Sequence, residues 1–587
     1  MKLNSFKIFT FLVFLFPVQN LFSQDLVISE FLAINSSGIK DSDGDYSDWI
    51  ELYNPSSINI NLNGWFLTDS YKDLMKWRFP EIEIKPGEYM LIFASGKDYR
   101  NPKHELHTNF RLSGGGEYLA LVKPDGKTKV SNFENHYSVQ NSDISFGYIE
   151  GLPTSFKSPT PGEVNQLSGY LPPPVFSVEH GFFEEPFSVS LSTPVPDADI
   201  YYTTDGSTPD GYVGTKYSTP VQINTTTPIR AVVVKNGMQN STVVTQTYIF
   251  PDAVIGQTNN PDGYPDEWGP YAQKKGNATA DYEMDLEITQ NPLYKDLLKP
   301  GLLSIPTVSI VTDIDHLFSH STDTTKGGIY IYTGAPVKNT IGRGWERPAS
   351  IEFFAPDLEK DFQVNIGLKL HGGHSRLPEK SPKHSFRITF KSAYGPTKLH
   401  FPIFENNKAT TRFNSIVLRA GFNKTWHHHS EGQRKSATMI TDPWAKDIQR
   451  TMGHNAGFNR FVHLYLNGLY WGVYNLAERM DKEYMETYIG GNEEDFDVIK
   501  DYAEVASGTS DAWDQMMALA NLGLENNNAY QLVQGNDKDG TPNPEKENLL
   551  DVVNLIDYMI LNIYAANADW DHHNWAATRN RINPGKG

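Results

Sequence analysis

Asp48-Trp49-Ile50-Glu51-Leu52-Tyr53-Asn54 alternates on a period of two, with Trp49, Glu51 and Tyr53 on one face and Ile50 and Leu52 on the other. Successive side chains of a strand point to opposite faces of its sheet, so this stretch reads as a strand with one buried face. Short strands of the same kind surround it, at Leu26-Val-Ile-Ser-Glu-Phe-Leu32, Gly64-Trp-Phe-Leu-Thr68, Glu88-Tyr-Met-Leu-Ile-Phe93 and Glu117-Tyr-Leu-Ala-Leu-Val122. Lys85-Pro-Gly87 and Gly114-Gly-Gly116 provide turns between them. Residues 24 to 166 are therefore expected to form a β-sandwich.

The whole chain agrees with a β-rich, multidomain protein. Its 587 residues exceed what one hydrophobic core supports, and 46 Gly with 36 Pro favour strands and turns over long helices. The first residues, Met1-Lys-Leu-Asn-Ser-Phe-Lys7, lead into an apolar run from Ile8 to Phe16 and then Pro17, which reads as a secretory signal (residues 1–23) cut after Ser23. The expectation is a protein that is secreted or held at the cell surface. That run is too short to span hydrocarbon, and no later segment reaches about 18 apolar residues, so no membrane span is expected after cleavage. The chain has no cysteine, which excludes disulfides, thiol chemistry and lipidation at cysteine. A net charge of −19 without a Lys/Arg run argues against nucleic acid and anionic membrane surfaces as partners.

Between the first two strands lies Asp41-Ser-Asp43-Gly-Asp45-Tyr-Ser-Asp48, with carboxylates at alternating positions around a glycine. Asp41, Asp43, Asp45 and Asp48 form a candidate Ca²⁺ loop, because hard cations take oxygen ligands; an acidic solvated turn is the competing reading, since the glutamate that completes an EF-hand loop is absent. Ile28-Ser-Glu-Phe31, residues 48–54, Gly64-Trp-Phe-Leu67 and Thr160-Pro-Gly162-Glu-Val-Asn165 together resemble a lamin-tail domain, which implies an immunoglobulin-like sandwich.

Leu171-Pro-Pro-Pro174 is a stiff extended linker, and new strands follow at Phe187-Ser-Val-Ser-Leu191 and Ala198-Asp-Ile-Tyr-Tyr-Thr203. Tyr201-Tyr-Thr-Thr-Asp205-Gly206-Ser-Thr-Pro209, Tyr217-Ser-Thr-Pro220 and Pro228-Ile-Arg-Ala-Val-Val-Val234 resemble the small sandwich attached to chitobiase and related hexosaminidases. That resemblance implies a second immunoglobulin-like β-sandwich over residues 172–250, accessory in role, with Asp205-Gly206 as a turn and Tyr201 and Tyr202 as candidate contacts to a surface glycan. No paired carboxylates accompany it, so glycoside hydrolysis is not expected. Residues 251–302 read as a linker that packs on its neighbour through Trp268 and Tyr271.

From residue 303 to 587 strands mix with helical spacing, as in residues 436–451 with Met439, Ile440, Ala445 and Ile448, so this is an α+β domain. Near its end, Asn567-Ala-Asp569-Trp-Asp571-His-His-Asn574 places Asp569 and Asn574 four residues apart, the spacing at which phosphoryl-transfer catalytic loops present a base and a metal ligand. Phosphoryl transfer also needs cations against phosphate oxygens, which Lys383 could supply, and close backbone approach to phosphate, for which Gly372 and Gly373 beside Ser375 are candidates. A plain hairpin turn explains the two glycines equally well. Glu478, closing the run Tyr470-Trp-Gly-Val-Tyr-Asn-Leu-Ala, is placed to orient the lysine or hold metal, or else is a strand-end glutamate.

Five segments carry a further resemblance: Gly367-Leu-Lys-Leu-His-Gly372-Gly373-His-Ser375-Arg376, Pro382-Lys383-His-Ser385-Phe-Arg387-Ile-Thr-Phe390, Leu418-Arg419, Leu466-Asn-Gly468-Leu-Tyr470-Trp-Gly-Val-Tyr-Asn-Leu-Ala-Glu478, and residues 567–574. In order and spacing they resemble the spore-coat protein H (CotH) family of atypical protein kinases. The resemblance implies transfer of the ATP γ-phosphoryl group to a protein hydroxyl, with Mg²⁺ or Mn²⁺. Asp569 would be the catalytic base and, with Asn574, a metal ligand; Lys383, Glu478, Gly372, Gly373, Ser375 and Arg376 would hold the nucleotide. Asp571 is the internal rival to Asp569. His384 stands where the family commonly has a second lysine, which leaves the nucleotide lysine open. His427-His-His429 reads as a polar loop rather than a metal site, because consecutive residues cannot converge on one ion. No Asp or Glu follows Asn574, so the second metal-holding acid of kinase chemistry is expected outside these 587 residues, the sequence being a fragment; the alternative is a noncatalytic surface or matrix scaffold with a degenerate kinase-like domain.

Overall fold

The computed structural model describes residues 26–114, 116–133, 137, 140, 142–149, 152–166, 171–334, 341–356, 361–570 and 574–582. The expected signal segment, together with Asp571, His572 and His573, lies outside the described residues.

Asp48–Tyr53 is a strand, flanked by Val27–Leu32 and Tyr89–Ala94 in a six-stranded sheet. Ile50 and Leu52 face a second sheet built from Phe66–Thr68, Trp77–Arg78, Leu119–Val122 and Lys129–Phe133, and share a core with Leu67, Trp77, Leu119 and Leu121. The sandwich expected from the alternation is present, but its outer face is covered as well. Trp49 packs with Leu32 and Phe93, and Glu51 is fully buried. The cover over Glu51 is the closing segment: Glu30 and Glu51 sit opposite one another in register, Thr160 donates its backbone N–H and hydroxyl to Glu30, and the Gly162 N–H donates to Glu51 at 2.5 Å. Asn165 then ties the segment to the Ser29 carbonyl at 2.9 Å.

The second module has a five-stranded sheet around Ile200, Ile229, Ala231, Val233 and Tyr248. It is fused to the third module rather than strung beside it. Its Asp205-Gly206 turn presses on that module, where a Cβ at Gly206 would lie 2.7 Å from the Thr312 carbonyl and from Asn467 Nδ2. Thr208 donates to both oxygens of Asp313, and buried Arg230 holds the turn by donating to the Gly206 carbonyl. Residues 251–302 carry short strands and helices of their own and pack on the third module, with Trp268 and Tyr282 entering its core and Tyr271 partly buried against it. Tyr202 leans on the core of its own sandwich, and Tyr201 lies half-buried on the same strand.

The third module is organised by a closed barrel. We label its strands β1 (Thr307–Val311), β2 (Arg347–Phe354), β3 (Phe362–His371), β4 (Ser385–Thr389), β5 (Ser415–Arg419), β6 (Asn459–Leu466) and β7 (Leu469–Glu478). Neighbours run β1-β2-β3-β4-β5-β7-β6, with β6 closing on β1 as the parallel pair. Even-numbered positions of β3, β4 and β5 point inward: Ile366, Leu368, Phe386, Ile388, Ile416 and Leu418 fill the core. Asn467 and Gly468 both have positive φ and form the tight turn from β6 to β7, as the Asn-Gly pair predicts.

Between β5 and β6 lies helix α1 (Thr441–Thr451), which starts later than the periodicity from residue 436 suggests, because Met439 takes a positive φ and Pro443 suits a first helical turn. After β7 come α2 (Lys482–Ile489), β8 (Phe496–Lys500), β9 (Glu504–Ser507), α3 (Val552–Tyr564) and β10 (Ala576–Asn580), the three strands forming one small sheet. Among the described residues, no helix is long and apolar enough to cross a membrane.

Candidate active site

The odd-numbered positions of β3, β4 and β5 look outward from the barrel. Where β4 pairs with β3 and β5, Lys369 stands opposite Arg387, Arg387 opposite Val417, and Val417 opposite Ala477 of β7; toward the strand ends His371 faces Ser385 and Arg419 faces Asn475. One face of the barrel therefore carries a small-residue floor, Ser385, Val417 and Ala477, ringed by cations. His371 feels this ring: burial, and then Arg419, Arg479, Arg387 and Arg376, hold its imidazole down at about 3, so it is neutral.

A glycine turn borders this face. Gly372 has φ +108° and the Ser375 side chain fills the space a Cβ would need, whereas Gly373 has open space around it. Arg376 is buried and donates to the Gly334 carbonyl at 2.9 Å, so it anchors the turn. Gly372, Gly373, Ser375 and Arg376 thus lie in one turn, with the Arg376 guanidinium bonded to Gly334.

On the other side, Arg419 Nε lies 3.5 Å from Asp442 in the first turn of α1, and Asp442 also binds Lys446 at 2.8 Å. Helix α1 runs antiparallel to α3. His454 bonds Asp557 at 2.8 Å near one end, and Trp444 stacks on Tyr564 with ring centroids 6.3 Å apart at the other. Asp551 caps the N-terminus of α3 by accepting from the Asn554 N–H at 2.9 Å. The Trp444 stack brings the C-terminal end of α3 to the end of α1 that holds Asp442, and the loop that follows folds back along α3, where Trp570 packs edge-on against Tyr558 with ring centroids 5.7 Å apart.

In that loop Ala566 and Asn574 have positive φ, Asn567 ties back to Asn562 at 2.8 Å, and the Asn574 amide donates to the Asp569 carbonyl at 2.8 Å. Asp569 and Asn574 are therefore joined across the loop, and both are exposed. Trp575 stacks on Trp513 and leads into β10, which fixes the far end of the loop to the small sheet. The Asn574 amide nitrogen is thereby committed to the Asp569 main chain, and its Oδ1 is an oxygen donor of the kind hard cations take. Among the described residues, no group of three or more His, Asp or Glu side chains is clustered to hold a metal.

Two expected residues sit elsewhere. Lys383 precedes β4 and lies half-buried against β7, where a Cβ at Gly472 would collide with its ammonium. Burial pushes the amine down to about 8, opposed by the field of Asp281, and its Nζ has no hydrogen-bond or ion-pair partner among the described residues. Glu478 is buried at the far end of β7, roughly 20 Å along the strand from Gly472. It accepts from the Phe458 N–H at 2.7 Å and the Tyr488 hydroxyl at 2.6 Å, so it fastens β7 to α2 and does not meet Lys383. Burial raises its carboxyl despite both bonds.

The four acidic residues of the candidate Ca²⁺ loop are not brought to one point. Lys97 places its ammonium at the centre of three of them, 2.8 Å from Asp41, 2.7 Å from Asp43 and 2.8 Å from Asp45. Asp48 turns inward instead, where burial lifts its carboxyl to about 8 and it accepts from the Asn35 N–H. In the histidine triplet, His428 is buried and bonds the Ser430 N–H, while His427 and His429 are exposed.

Sequence reasoning missed the roles of Arg387, Arg419 and Asp442. Leu418-Arg419 stood out as a segment, but the signal that assigns it, cations at matching odd positions of adjacent strands, exists only once the register is known.

A barrel face with a glycine turn, a cation on the strand before a helix, an acid in that helix and a polar loop after a later helix define an α+β kinase-like domain, carried behind two β-sandwiches. Family models agree, module by module. Residues 22–135 match the Lamin Tail Domain, residues 178–245 the Chitobiase/beta-hexosaminidase C-terminal domain, and residues 368–583 CotH kinase protein. No curated protein matches the chain.

Proposed function

We propose that this protein is an exported protein kinase that transfers the ATP γ-phosphoryl group to a protein hydroxyl, with Mg²⁺ or Mn²⁺ bound. What supports the reading is the presence of three parts in a region that matches the CotH kinase family model: the Gly372–Gly373 turn, the Arg419–Asp442 pair, and the loop in which the Asn574 amide donates to the Asp569 carbonyl. Protein kinases use the same three parts, a glycine loop over the phosphates, a strand cation oriented by a helix acid, and a catalytic loop presenting an acid and an amide.

In this reading the Gly372 turn covers the phosphates, with Ser375 and the open backbone at Gly373 nearest them. Asp442 holds the Arg419 guanidinium toward the same space. Asp569 would accept the proton of the acceptor hydroxyl, and Asn574 and Asp569 would hold the metal ion, which neutralises charge on the phosphate oxygens when bound. Lys383, turned toward Asp281 beside Gly472, takes no part in this reading, and Glu478 acts through the fold. ATP is scarce outside cells, so phosphorylation during export fits the leader sequence. The first two modules would present the domain to surface partners, including a glycan at Tyr201 and Tyr202.

The test is incubation with γ-labelled ATP and Mg²⁺ or Mn²⁺, alone and with a generic protein acceptor. Labelling is expected, and Asp569→Ala should abolish it. Equal labelling by wild type and variant rejects the assignment of Asp569, and no labelling by either favours a noncatalytic scaffold.

A further inference from the structure

We infer that Arg387, with Arg419 diagonal to it, is the oxyanion-binding element of the barrel face, and that its ligand is a polyphosphate chain such as the triphosphate of a nucleotide. This rests on the kinase reading above and names the cation that the sequence left open.

The first observation is register. Arg387 lies opposite Val417, two residues before Arg419 on β5, so the two arginines are diagonal neighbours on one face. Such positions are about 7–8 Å apart, within reach of two long side chains converging on one extended anion. The floor beneath them is Val417 and Ala477, which offer neither charge nor bulk to compete for the guanidinium groups.

The second observation is an unmet demand. Arg387 is half-buried, its Nε is fully shielded, and it has no hydrogen-bond or ion-pair partner among the described residues. The shielded Nε–H lacks an acceptor, which an anion would supply, and the planar fork matches phosphate oxygens two at a time. Three carboxylates, Asp481, Glu483 and Glu346, reach it only through the field. Each is committed elsewhere: Glu346 to Lys369 and Lys391, Asp481 to Arg479 and the Tyr484 N–H, and Glu483 to Asp481. Lys383, by contrast, faces Asp281 and is not among the cations acting on His371.

The test measures binding to the full chain by titration calorimetry, using inorganic tripolyphosphate, ATP and adenosine as separate probes. Arg387→Met should weaken tripolyphosphate and ATP by about 10- to 100-fold and leave adenosine unchanged. Lys383→Met should leave all three unchanged. Arg387→Lys, which keeps the charge and loses the fork, should weaken tripolyphosphate by about threefold or more at an unaltered melting midpoint, and carries the test if the methionine variant does not fold.

Tripolyphosphate binding that is absent in wild type, or undiminished in the Arg387 variants, overturns the inference. Loss of binding in Lys383→Met alone does so too and moves the cation to that site. If labelling from ATP persists while Arg387 proves indifferent, the inference falls and the kinase reading stands. Arg387-dependent binding of tripolyphosphate without any use of ATP has the opposite meaning: the anion site stands and the kinase reading fails.

Discussion

The Thr247 backbone N–H donates to Glu352 Oε1 at 2.8 Å across the boundary between the second sandwich and the barrel, and both residues are fully buried. The Thr247 hydroxyl takes the other carboxylate oxygen, and His180 Nδ1 lies 3.1 Å from Oε1 with its ring stacked on Phe354. Thr245 bonds Ser350, and Asn365 donates to the Val243 carbonyl at 3.0 Å. An accessory module tethered by a linker would have no reason to bury a carboxylate in its contact, because an unpaired buried charge is costly. The sandwich and the barrel are therefore one mechanical unit, which bears on how the cation face is held.

Glu352→Ala removes the centre of that contact, leaving the Thr247 N–H without its acceptor and His180 with Asp361 alone. We expect a loss of about 3 kcal/mol, read as a lower midpoint in denaturant, with the two modules unfolding together in the wild type. His180 adds a pH signature. Burial opposes its charge, but the bonds to Asp361 and Glu352 outweigh this and lift it to about 10, above the ordinary 6.5. A raised imidazole contributes stability that is complete below about pH 6.5 and is lost as pH rises toward 10. The slope of stability between those values should flatten in His180→Gln.

Lys97→Met leaves Asp41, Asp43 and Asp45 facing one another without a cation. Burial would raise Asp41, yet Lys97, Ser47 and the Asp45 N–H bring it down to about 2, so the ion pair stabilises the fold above the ordinary carboxylate range and fails only in strong acid. The variant should melt earlier at low salt by about 1–3 kcal/mol of stability and regain it with millimolar Ca²⁺, while the wild type shows no Ca²⁺ shift. Thermal melts with and without the ion decide this.

Asp442→Asn keeps the size of the side chain but removes the charge that faces Arg419 at 3.5 Å. Labelling from γ-labelled ATP should fall by about tenfold or more with little change in melting midpoint, since the helix acid orients the strand cation without making the core. Unchanged labelling would mean that this pair is only a surface ion pair, worth well under about 1 kcal/mol.

Lys383 should react with amine-directed acylating reagents out of proportion to its burial. An amine held near 8 is neutral far more often at pH 7.5 than an ordinary lysine, by about 100-fold. Mass spectrometry of short acylation reactions should place it ahead of exposed Lys408. Added ATP should not protect it if Arg387 is the phosphate cation.

Strand alternation was enough to set residues 48–53 in a sheet, and the Asn-Gly pair was enough to read the Asn467–Gly468 turn, because period and turn chemistry are local properties of the chain. The spacing of Asp569 and Asn574 singled out their loop, and the structure adds the bond from the Asn574 amide to the Asp569 main-chain carbonyl. What the residues could not reveal alone was which charges meet across the fold. Only the tertiary structure put Lys97 among the aspartates, buried Glu51 beneath residues 160–165, sent Glu478 to Tyr488 and away from Lys383, and lined Arg387 up beside Arg419. Those outcomes depend on strand register and on which module covers which face, and both are fixed by packing between segments far apart in sequence.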